Sequence, residues 1–345
     1  MTRNPLDTHA MAASADRKAA TAATETARAL AASPEGEAYG AVWQAIGTAF
    51  ADSSTCRVDA PSLCMAPCDK KFLAAATTGS PSVPLPFAPS HAEQYPDALF
   101  VAKPALGSHG DGVEVLRAGD VPAAQAARGD LVVQRYVEAP HLLGGRKYDL
   151  RLYAYINASA FSVAAAAVDG TAAAAAAPAL FLYGDGIARF AGAAYAGTAT
   201  SDRVAHLTNS RLQREADPAG YCAAAPMHTV KEVLAALRTE RGDAAATKAW
   251  AGIRAAVTDV VSRTWSYAAA AALAGAPAPE VGSYVKLYGV DVILDGDLTP
   301  YVLELNCAAS FAYLCEERVA VKNRMMDGLL GLMAGGGAVG WESLV

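Results

Sequence analysis

The sequence lacks a long apolar run. Nowhere in its 345 residues do about 20 strongly apolar residues follow one another, which is the length that a helix needs to span a bilayer. Hydrophobic residues make up 53% of the chain, but much of that fraction is alanine, which buries little surface. The first forty residues carry acidic side chains and no apolar core, which argues against a secretory signal. We therefore predict no membrane partner and a cytoplasmic location.

Cysteine is also scarce. Six cysteines in a chain of this length do not make a disulfide framework, so we expect free thiols in a reducing cytoplasm. Cys64 and Cys68 have a spacing that hints at zinc, but no second pair of cysteines or histidines follows at the spacing of a zinc finger. The six are Cys56, Cys64, Cys68, Cys222, Cys307 and Cys315.

The chain has no excess of positive charge. Its formal net charge of -6 makes bulk nucleic-acid binding improbable, so we predict no nucleic-acid partner. Residues 117–214 nevertheless contain more Lys and Arg than Asp and Glu. Two interpretations of this basic region stay open, a solvated surface and a basic floor for an anionic substrate.

The pattern along the chain predicts an α+β fold with antiparallel strands. Residues 1–40 are predicted to be disordered, and residues 41–95 to form a reduced N-terminal domain that contains a helix and a Pro-rich linker or extended crossing over 80–90. A single long helix is predicted over 228–265. The alanine-rich stretches are interpreted as insertions or loops, at 163–179 and 267–280. Strands are predicted at 99–105, 112–118, 131–137, 147–156, 180–191, 283–295 and 301–306.

A glycine-rich connection joins the first two predicted strands. Gly107, Gly110 and Gly112 let backbone amides approach an anion without obstruction from side chains. A plain hairpin turn would have the same glycines, but Lys103 on the strand that leads into the loop favours a phosphate ligand. Further along, the strand "VVQRYV" ends near a loop and could present backbone groups to the edge of a base.

The stretch "KYDLRLYAYI" places charges at every second position. Because side chains alternate across a strand, Lys147, Asp149 and Arg151 share one face. That face either lines a cleft or stands in water with Asp149 paired to its two neighbours. The sequence pattern favours neither.

The stretch "LYGVDVILDGDLTPYVLELN" predicts a hairpin. If residues 296–299 form its loop, then Asp295 faces Pro300 and Asp291 faces Glu304. Two opposed carboxylates should repel each other, and a cation between them removes that penalty. Asn306 projects from the same face, and such an all-oxygen set suits magnesium. Without a metal, one of the two carboxylates should have a raised pKa.

Taken in order, the motifs "AKPALGSHGDGV", "VVQRYVEAPHLLGGRKYDLRLYAYI", "FLYGDGIARFA", "HLTN" and "LYGVDVILD…PYVLELN" resemble the tubulin tyrosine ligase-like family over residues 100 to about 315. The resemblance implies an ATP-grasp fold, with ATP and Mg²⁺ between two α+β lobes in a catalytic domain over 96–335, followed by a tail over 336–345. It also implies a ligase that adds an amino acid, most often glutamate, to a carboxylate of tubulin through an acyl-phosphate.

The resemblance assigns roles to individual residues. Lys103 and the loop with His109 and Gly110 would hold phosphates, and residues 134–137 would contact adenine. Arg151 would stabilise the tetrahedral adduct, with Arg189 on the carboxylate of the incoming amino acid. The nucleotide contacts implied are Gln134, Arg135, Tyr136, Val137, Lys147, Asp149, Thr208 and Asn209, and the magnesium ligands are Asp291, Glu304 and Asn306.

The sequence departs from the family within two of its motifs. His109 stands where the family usually has an arginine, and Ser210 and Arg211 stand where glutamylases usually have Tyr-Ser, a region that helps to choose the amino acid. Two alternatives therefore stay open, a different carboxylate-amine ligase of the ATP-grasp type and a nucleotide-binding pseudoenzyme that docks on microtubules. The expected partner is tubulin with its acidic C-terminal tails, and the expected location is the cytoplasm, with the cytoskeleton, cilium or basal body as the sites within it.

Overall fold

The computed structural model describes residues 69–105, 110–158, 179–197, 201–218, 220–223, 225–275, 284–306, 315–333 and 337–345. These residues form two antiparallel sheets with helices packed against them, so the predicted α+β class is confirmed. The disordered segment predicted over 1–40 and the helix predicted after it lie outside the described residues, as does most of the alanine-rich stretch 163–179. Among the described helices, none is long and apolar enough to cross a membrane.

The first sheet has three strands in the order β2-β1-β3. Its small core contains Phe100, Ala102 and Val133, packed against the short helix α3 and the 3-10 turn that precedes it. The strands are β1 Leu99–Pro104, β2 Glu114–Arg117 and β3 Leu131–Arg135, and the helical segments of this part are α1 Lys70–Ala76, α2 Pro89–Gln94, the 3-10 turn Ala118–Asp120 and α3 Val121–Arg128.

The second sheet has the order β8-β7-β5-β6-β9, with the short strand β4 paired to β5. Its strands are β4 Leu142–Leu143, β5 Arg146–Ala158, β6 Ala179–Phe190, β7 Tyr284–Leu294, β8 Pro300–Asn306 and β9 Trp341–Ser343. The remaining helices are α4 Arg203–His206, α5 Ser210–Ala216, α6 Val230–Arg241, α7 Asp243–Gly275 and α8 Glu316–Met333.

Helices cover one face of the large sheet and part of the other. Leu150 and Leu152 of β5 belong to the main core, together with buried residues of α6 and α7. On the opposite face, Tyr153 and Tyr155 pack with α8 around Val321. The alternation along β5 therefore separates two apolar layers, and α8 covers only the part of the second face that begins at Tyr153.

The single long helix predicted over 228–265 is instead two helices. Gly242 ends α6 with a φ of 86°, a left-handed conformation that glycine adopts readily. The second helix, α7, then continues to Gly275. The prediction of a loop for 267–280 is therefore wrong as far as Gly275, because alanine has the highest helix propensity and extends the helix.

The Pro-rich stretch over 80–90 is an extended crossing that is hydrogen-bonded to both sheets. Of the two predicted forms, a linker and an extended crossing, the second is therefore the correct one. The amide of Arg135 donates to the carbonyl of Leu85 at 2.7 Å, and the amide of Phe87 donates to Val133 at 3.0 Å, so the segment lies along β3. Its carbonyl at Ser82 also accepts from the amide of Val302 on β8 at 2.8 Å.

Two further segments differ from the sequence-based picture. Within the stretch predicted as a tail, Trp341 is buried and β9 pairs with β6. Cys222 and Cys315 form a disulfide, so the prediction of free thiols is wrong for this pair, which long-range folding brings together across 93 residues. The other four cysteines lie outside the described residues.

Candidate active site

A cleft of about 870 Å³, open to solvent, lies between the two sheets. Walls come from β1, β5, β6, β7, β8 and the segment 206–209. The predicted site residues that line it are Lys103, Gly110, Arg135, Tyr136, Val137, Lys147, Asp149, Arg189, Thr208, Asn209, Asp291 and Glu304.

Lys103 links the two walls of the cleft. Its side chain is buried, and its Nζ donates to Oε1 of Gln134 on β3 and to the carbonyl of Leu303 on β8, both at 3.2 Å. Burial lowers the pKa of Lys103, while the negative charge of Glu304 opposes that shift. Gln134 does not line the cleft but holds the lysine that does.

The glycine loop and the "HLTN" segment meet at the mouth of the cleft. Gly110 has a φ of 83°, and a Cβ built on it would lie 2.7 Å from Cγ of Asn209. Nη2 of Arg203 donates to the carbonyl of Gly110 at 3.1 Å. A side chain at position 110 would therefore collide with Asn209 unless Asn209 moved. His109, predicted to hold phosphate, lies outside the described residues.

Lys147 lies at one end of the cleft in a polar cluster. Its Nζ donates to the hydroxyl of Tyr136 at 2.8 Å and to the carbonyl of His206 at 2.9 Å, and it lies 4.1 Å from the centre of the Tyr136 ring. The Tyr136 hydroxyl is 2.9 Å from Nδ1 of His206. Burial lowers the pKa of Lys147 to about 7, against the opposing effect of Asp149.

Asp149 is held by partners from two other elements. Arg189 donates through Nε and Nη2 to its two carboxylate oxygens at 2.6 Å each, and Thr208 donates its hydroxyl at 2.5 Å. Lys147 and Asp149 are 7% and 3% exposed. Of the two interpretations of this strand face, the cleft is therefore the correct one, since a solvated strand face would leave these side chains in water.

In the hairpin Asp291 and Glu304 lie opposite each other as predicted, but the length of the turn and the register of the strands differ from the prediction. Leu294, not Asp295, pairs with Pro300, because the turn is one residue longer than predicted and Asp295 caps it by accepting from the amide of Thr299. A bulge then restores the register, so that Asp291 pairs with Glu304.

That bulge places Glu304 in the cleft. Val302 pairs with Val292 and points into the main core. Regular alternation would send Glu304 to the same core face as Val302, and the extra residue, Leu303, turns it to the face of Asp291. The carbonyl of Leu303 is the one that accepts from Lys103.

The pKa values of the two carboxylates are shifted in opposite directions. Burial and then the negative charge of Asp291 raise the pKa of Glu304, as predicted for one carboxylate of the pair. Burial also opposes ionisation of Asp291, but the positive charges of Arg151 and Arg189 hold its pKa well below the usual range. Arg151 pairs with Asp291 through Nε and Nη2, and Nη2 of Arg189 lies 2.8 Å from Oδ2 of Asp291.

The oxygen ligands predicted for magnesium lie close to one another. Nδ2 of Asn306 lies 3.4 Å from Oδ2 of Asp291 and 3.3 Å from Oε1 of Glu304. Two carboxylates and one amide within this distance fit the ligand preference of Mg²⁺. The residues present therefore fit the metal.

Comparison with known proteins agrees with this geometry. A sequence model of the tubulin-tyrosine ligase family matches residues 75–163 and 175–335. The chain belongs to the tubulin-tyrosine ligase family. The match includes the three-stranded sheet and every strand of the larger sheet except β9, and so all the strands that line the cleft.

Several curated members of the tubulin-tyrosine ligase family are similar to the chain. Tubulin monoglutamylase TTLL4 of Homo sapiens is 26% identical over 242 residues, which cover 68% of this chain and 18% of the relative. Tubulin polyglutamylase TTLL7 of Mus musculus is 29% identical over 226 residues, with 61% and 22% covered. Probable tubulin polyglutamylase TTLL9 of Bos taurus is 27% identical over 203 residues, with 58% and 37% covered. The chain thus spans well under half the length of these relatives.

In this family member three further predicted residues lie near the cleft without lining it. Arg151 and Asn306 contact Asp291, and Ser210 begins α5 directly after Asn209. The sequence analysis missed Lys70, Ile293 and Leu303, which also line the cleft. Ile293 follows Asp291 by two strand positions, so alternation was a usable signal for it, whereas nothing in the sequence pointed to Lys70.

Proposed function

We propose that the chain is an ATP-dependent ligase that adds an amino acid, most often glutamate, to a carboxylate of tubulin. The observation that carries this proposal is the convergence of Asp291, Glu304 and Asn306 with the buried cation Lys103 in one cleft between two sheets. The names of the similar proteins, tubulin monoglutamylase and polyglutamylase, support glutamate as the donor and tubulin as the acceptor.

The two sheets would act as the two lobes of an ATP-grasp fold, in a catalytic domain over 96–335. Lys103 and the Gly110 turn would bind phosphates, and residues 134–137 with Lys147 would hold the adenine. Asp149, Thr208 and Asn209 would contact the ribose side. Asp291, Glu304 and Asn306 would hold Mg²⁺, which when bound offsets the negative charge of the nucleotide phosphates.

In the reaction, the γ-phosphoryl group would pass to a carboxylate oxygen of tubulin and release ADP. The amine of the incoming amino acid would then attack the acyl carbon, lose a proton and displace phosphate to form an amide. Arg151, beside Asp291, would stabilise the negative charge of the tetrahedral adduct. Arg189 and Ser210 would contact the incoming amino acid. The acidic tails of tubulin would be the partner, in the cytoplasm, at the cytoskeleton, cilium or basal body.

One observation favours a second candidate, a nucleotide-binding protein without catalysis. Asp291 is already paired with both Arg151 and Arg189, so magnesium must compete with two guanidinium groups for this ligand. If Asp291 stays paired with the two arginines and does not bind magnesium, the protein would bind nucleotide and dock on microtubules without transferring an amino acid.

Incorporation of labelled glutamate, glycine or tyrosine into purified tubulin, with ATP and magnesium, tests the proposal. The variant Glu304→Gln should abolish incorporation, because the metal site loses a charge, while thermal unfolding stays cooperative. Glu342→Gln is the matched control and should retain activity, because Glu342 lies on β9 in a partly exposed ion pair with Arg254 of α7. Absence of incorporation with every amino acid, together with intact ATP binding, would support the second candidate.

A further inference from the structure

A second group of buried cations lies beyond the predicted metal ligands, where α8 begins to cross the large sheet. Arg318 and Lys322 are four residues apart on α8, so they share one face of the helix. They are 3% and 8% exposed. Between them, Val321 packs with Tyr153, which follows Arg151 on the same face of β5. The start of α8 therefore extends the row of charged residues on β5.

The guanidinium of Arg318 lies beside β6. Its Nη2 donates to the carbonyl of Ala188 at 3.0 Å. Ala188 directly precedes Arg189 and pairs with the residue between Asp149 and Arg151 on β5. Arg318 thus reaches the sheet at the same strand position as the buried ion pair of the cleft.

Arg318 differs from the two arginines of the cleft in its partners. Nη1 donates to the hydroxyl of Tyr221 at 2.5 Å, and the guanidinium carbon lies 5.1 Å from the centre of the Tyr221 ring. Its Nε has no hydrogen-bond partner, and among the residues that the structure describes no carboxylate lies within ion-pair distance of it. A buried cation that contacts only neutral oxygens is costly, and an anionic ligand would remove that cost.

The positive charges near Arg318 also favour an anionic ligand. Burial, followed by the nearby positive charges of Arg151 and Arg318, lowers the pKa of Lys322 to about 8. Three basic side chains at the start of α8 and the adjoining strand therefore repel one another. Such a cluster favours the binding of an anion.

We propose that Arg318, with Lys322 beside it, binds a carboxylate group of an acidic substrate. This proposal rests on the ligase function proposed above. The resemblance to the family assigns carboxylate binding to Arg189, but Arg189 is already held by Asp149 and Asp291. Arg318 has no such partner in the described part of the chain, and its planar guanidinium suits a carboxylate.

The surroundings of Arg318 are arranged for such a ligand. Tyr221 covers the guanidinium, and a carboxylate oxygen that takes the place of its hydroxyl would accept the same hydrogen bond with a full negative charge. The disulfide between Cys222 and Cys315 joins the residue after Tyr221 to the residue before α8. It therefore holds the two elements that flank Arg318 at a fixed separation.

Equilibrium binding tests the proposal without any need for turnover. Isothermal titration calorimetry would measure L-glutamate and hexaglutamate separately against the protein loaded with magnesium and a non-hydrolysable ATP analogue. Arg318→Gln should weaken the binding of one of these probes at least about tenfold, since it removes a charge-assisted hydrogen bond, while affinity for the ATP analogue is unchanged. Arg318→Lys, which keeps the charge, should recover part of the loss.

Arg324→Gln is the matched control, because Arg324 lies on the same helix with a side chain that is 59% exposed. It should bind both probes as the unmodified protein does. A loss confined to L-glutamate identifies the incoming amino acid as the source of the carboxylate, and a loss confined to hexaglutamate identifies the acidic tail. Unchanged binding of both probes, no binding by the unmodified protein, or an equal loss of nucleotide affinity would overturn the proposal. Failure of the proposed ligase function would appear separately, as absent incorporation with probe binding intact.

Discussion

Arg189 on β6 stands directly opposite Asp149 on β5, and two of its nitrogens each lie 2.6 Å from a carboxylate oxygen of that residue. The same guanidinium also reaches Asp291 on β7 at 2.8 Å. One arginine therefore compensates two buried carboxylates on neighbouring strands. These strands carry the residues predicted to contact ribose and magnesium, so Arg189 links the predicted nucleotide end of the cleft to the predicted metal end.

Arg189→Gln should lower the free energy of unfolding by about 3–5 kcal/mol, because it leaves buried carboxylates without their cation. Urea denaturation of Arg189→Gln, Asp149→Asn and the double variant would measure this. The double variant should lose less than the sum of the two single losses, since its two polar side chains carry no charge. Additive losses would contradict the coupling. Arg238→Gln, which breaks an exposed pair with Asp243, should cost less than about 1 kcal/mol.

Gly110→Ala should weaken ATP binding, because the added Cβ would lie 2.7 Å from the Asn209 side chain at the mouth of the cleft. Gly129→Ala is the matched control: Gly129 also has a positive φ, 73°, but nothing lies within 4 Å of its Cβ position. Both variants should lose about 1 kcal/mol of stability from backbone strain. Fluorescent ATP titration should show weaker binding for Gly110→Ala alone, and equal affinities would show that the contact with Asn209 does not shape the site.

Lys147 should make stability depend on pH. Its pKa is lowered from 10.5 to about 7 in the folded chain, so between these values the unfolded chain binds a proton that the folded chain does not. The free energy of unfolding should therefore rise with pH through this range, by at most about 1.4 kcal/mol per pH unit from this residue. In urea denaturation between pH 7.5 and 9.5, Lys147→Met should remove that rise. A parallel pH dependence in both proteins would argue against the lowered pKa.

Cys222 and Cys315 should resist alkylation until a reductant is added. Mass spectrometry of an unreduced digest should find their two peptides joined. Because the disulfide closes a loop of 93 residues, the double variant Cys222→Ser, Cys315→Ser should lose about 2–4 kcal/mol of stability under oxidising conditions. Under reducing conditions the two proteins should differ much less. Complete alkylation of both cysteines without reductant would show that the thiols are free.

The sequence alone was enough to predict what depends on local periodicity. Alternation along β5 placed Lys147, Asp149 and Arg151 on one face, and the order of motifs indicated the family that the comparison confirms. The antiparallel strands and their approximate bounds also follow from short patterns, because successive side chains of a strand lie on opposite faces of the sheet. The break at Gly242 is local too, but a continuous apolar stripe concealed it.

The tertiary structure decided what depends on contacts between distant segments. The bulge at Leu303 turns Glu304 into the cleft, and no pattern within β8 alone indicates it. The burial of Lys147 and Asp149, the bond between Cys222 and Cys315 and the position of Arg318 beside β6 depend on elements far apart in the chain. Periodicity fixes which residues share a face, whereas the packing of one element on another fixes whether that face is dry, charged or open to a ligand.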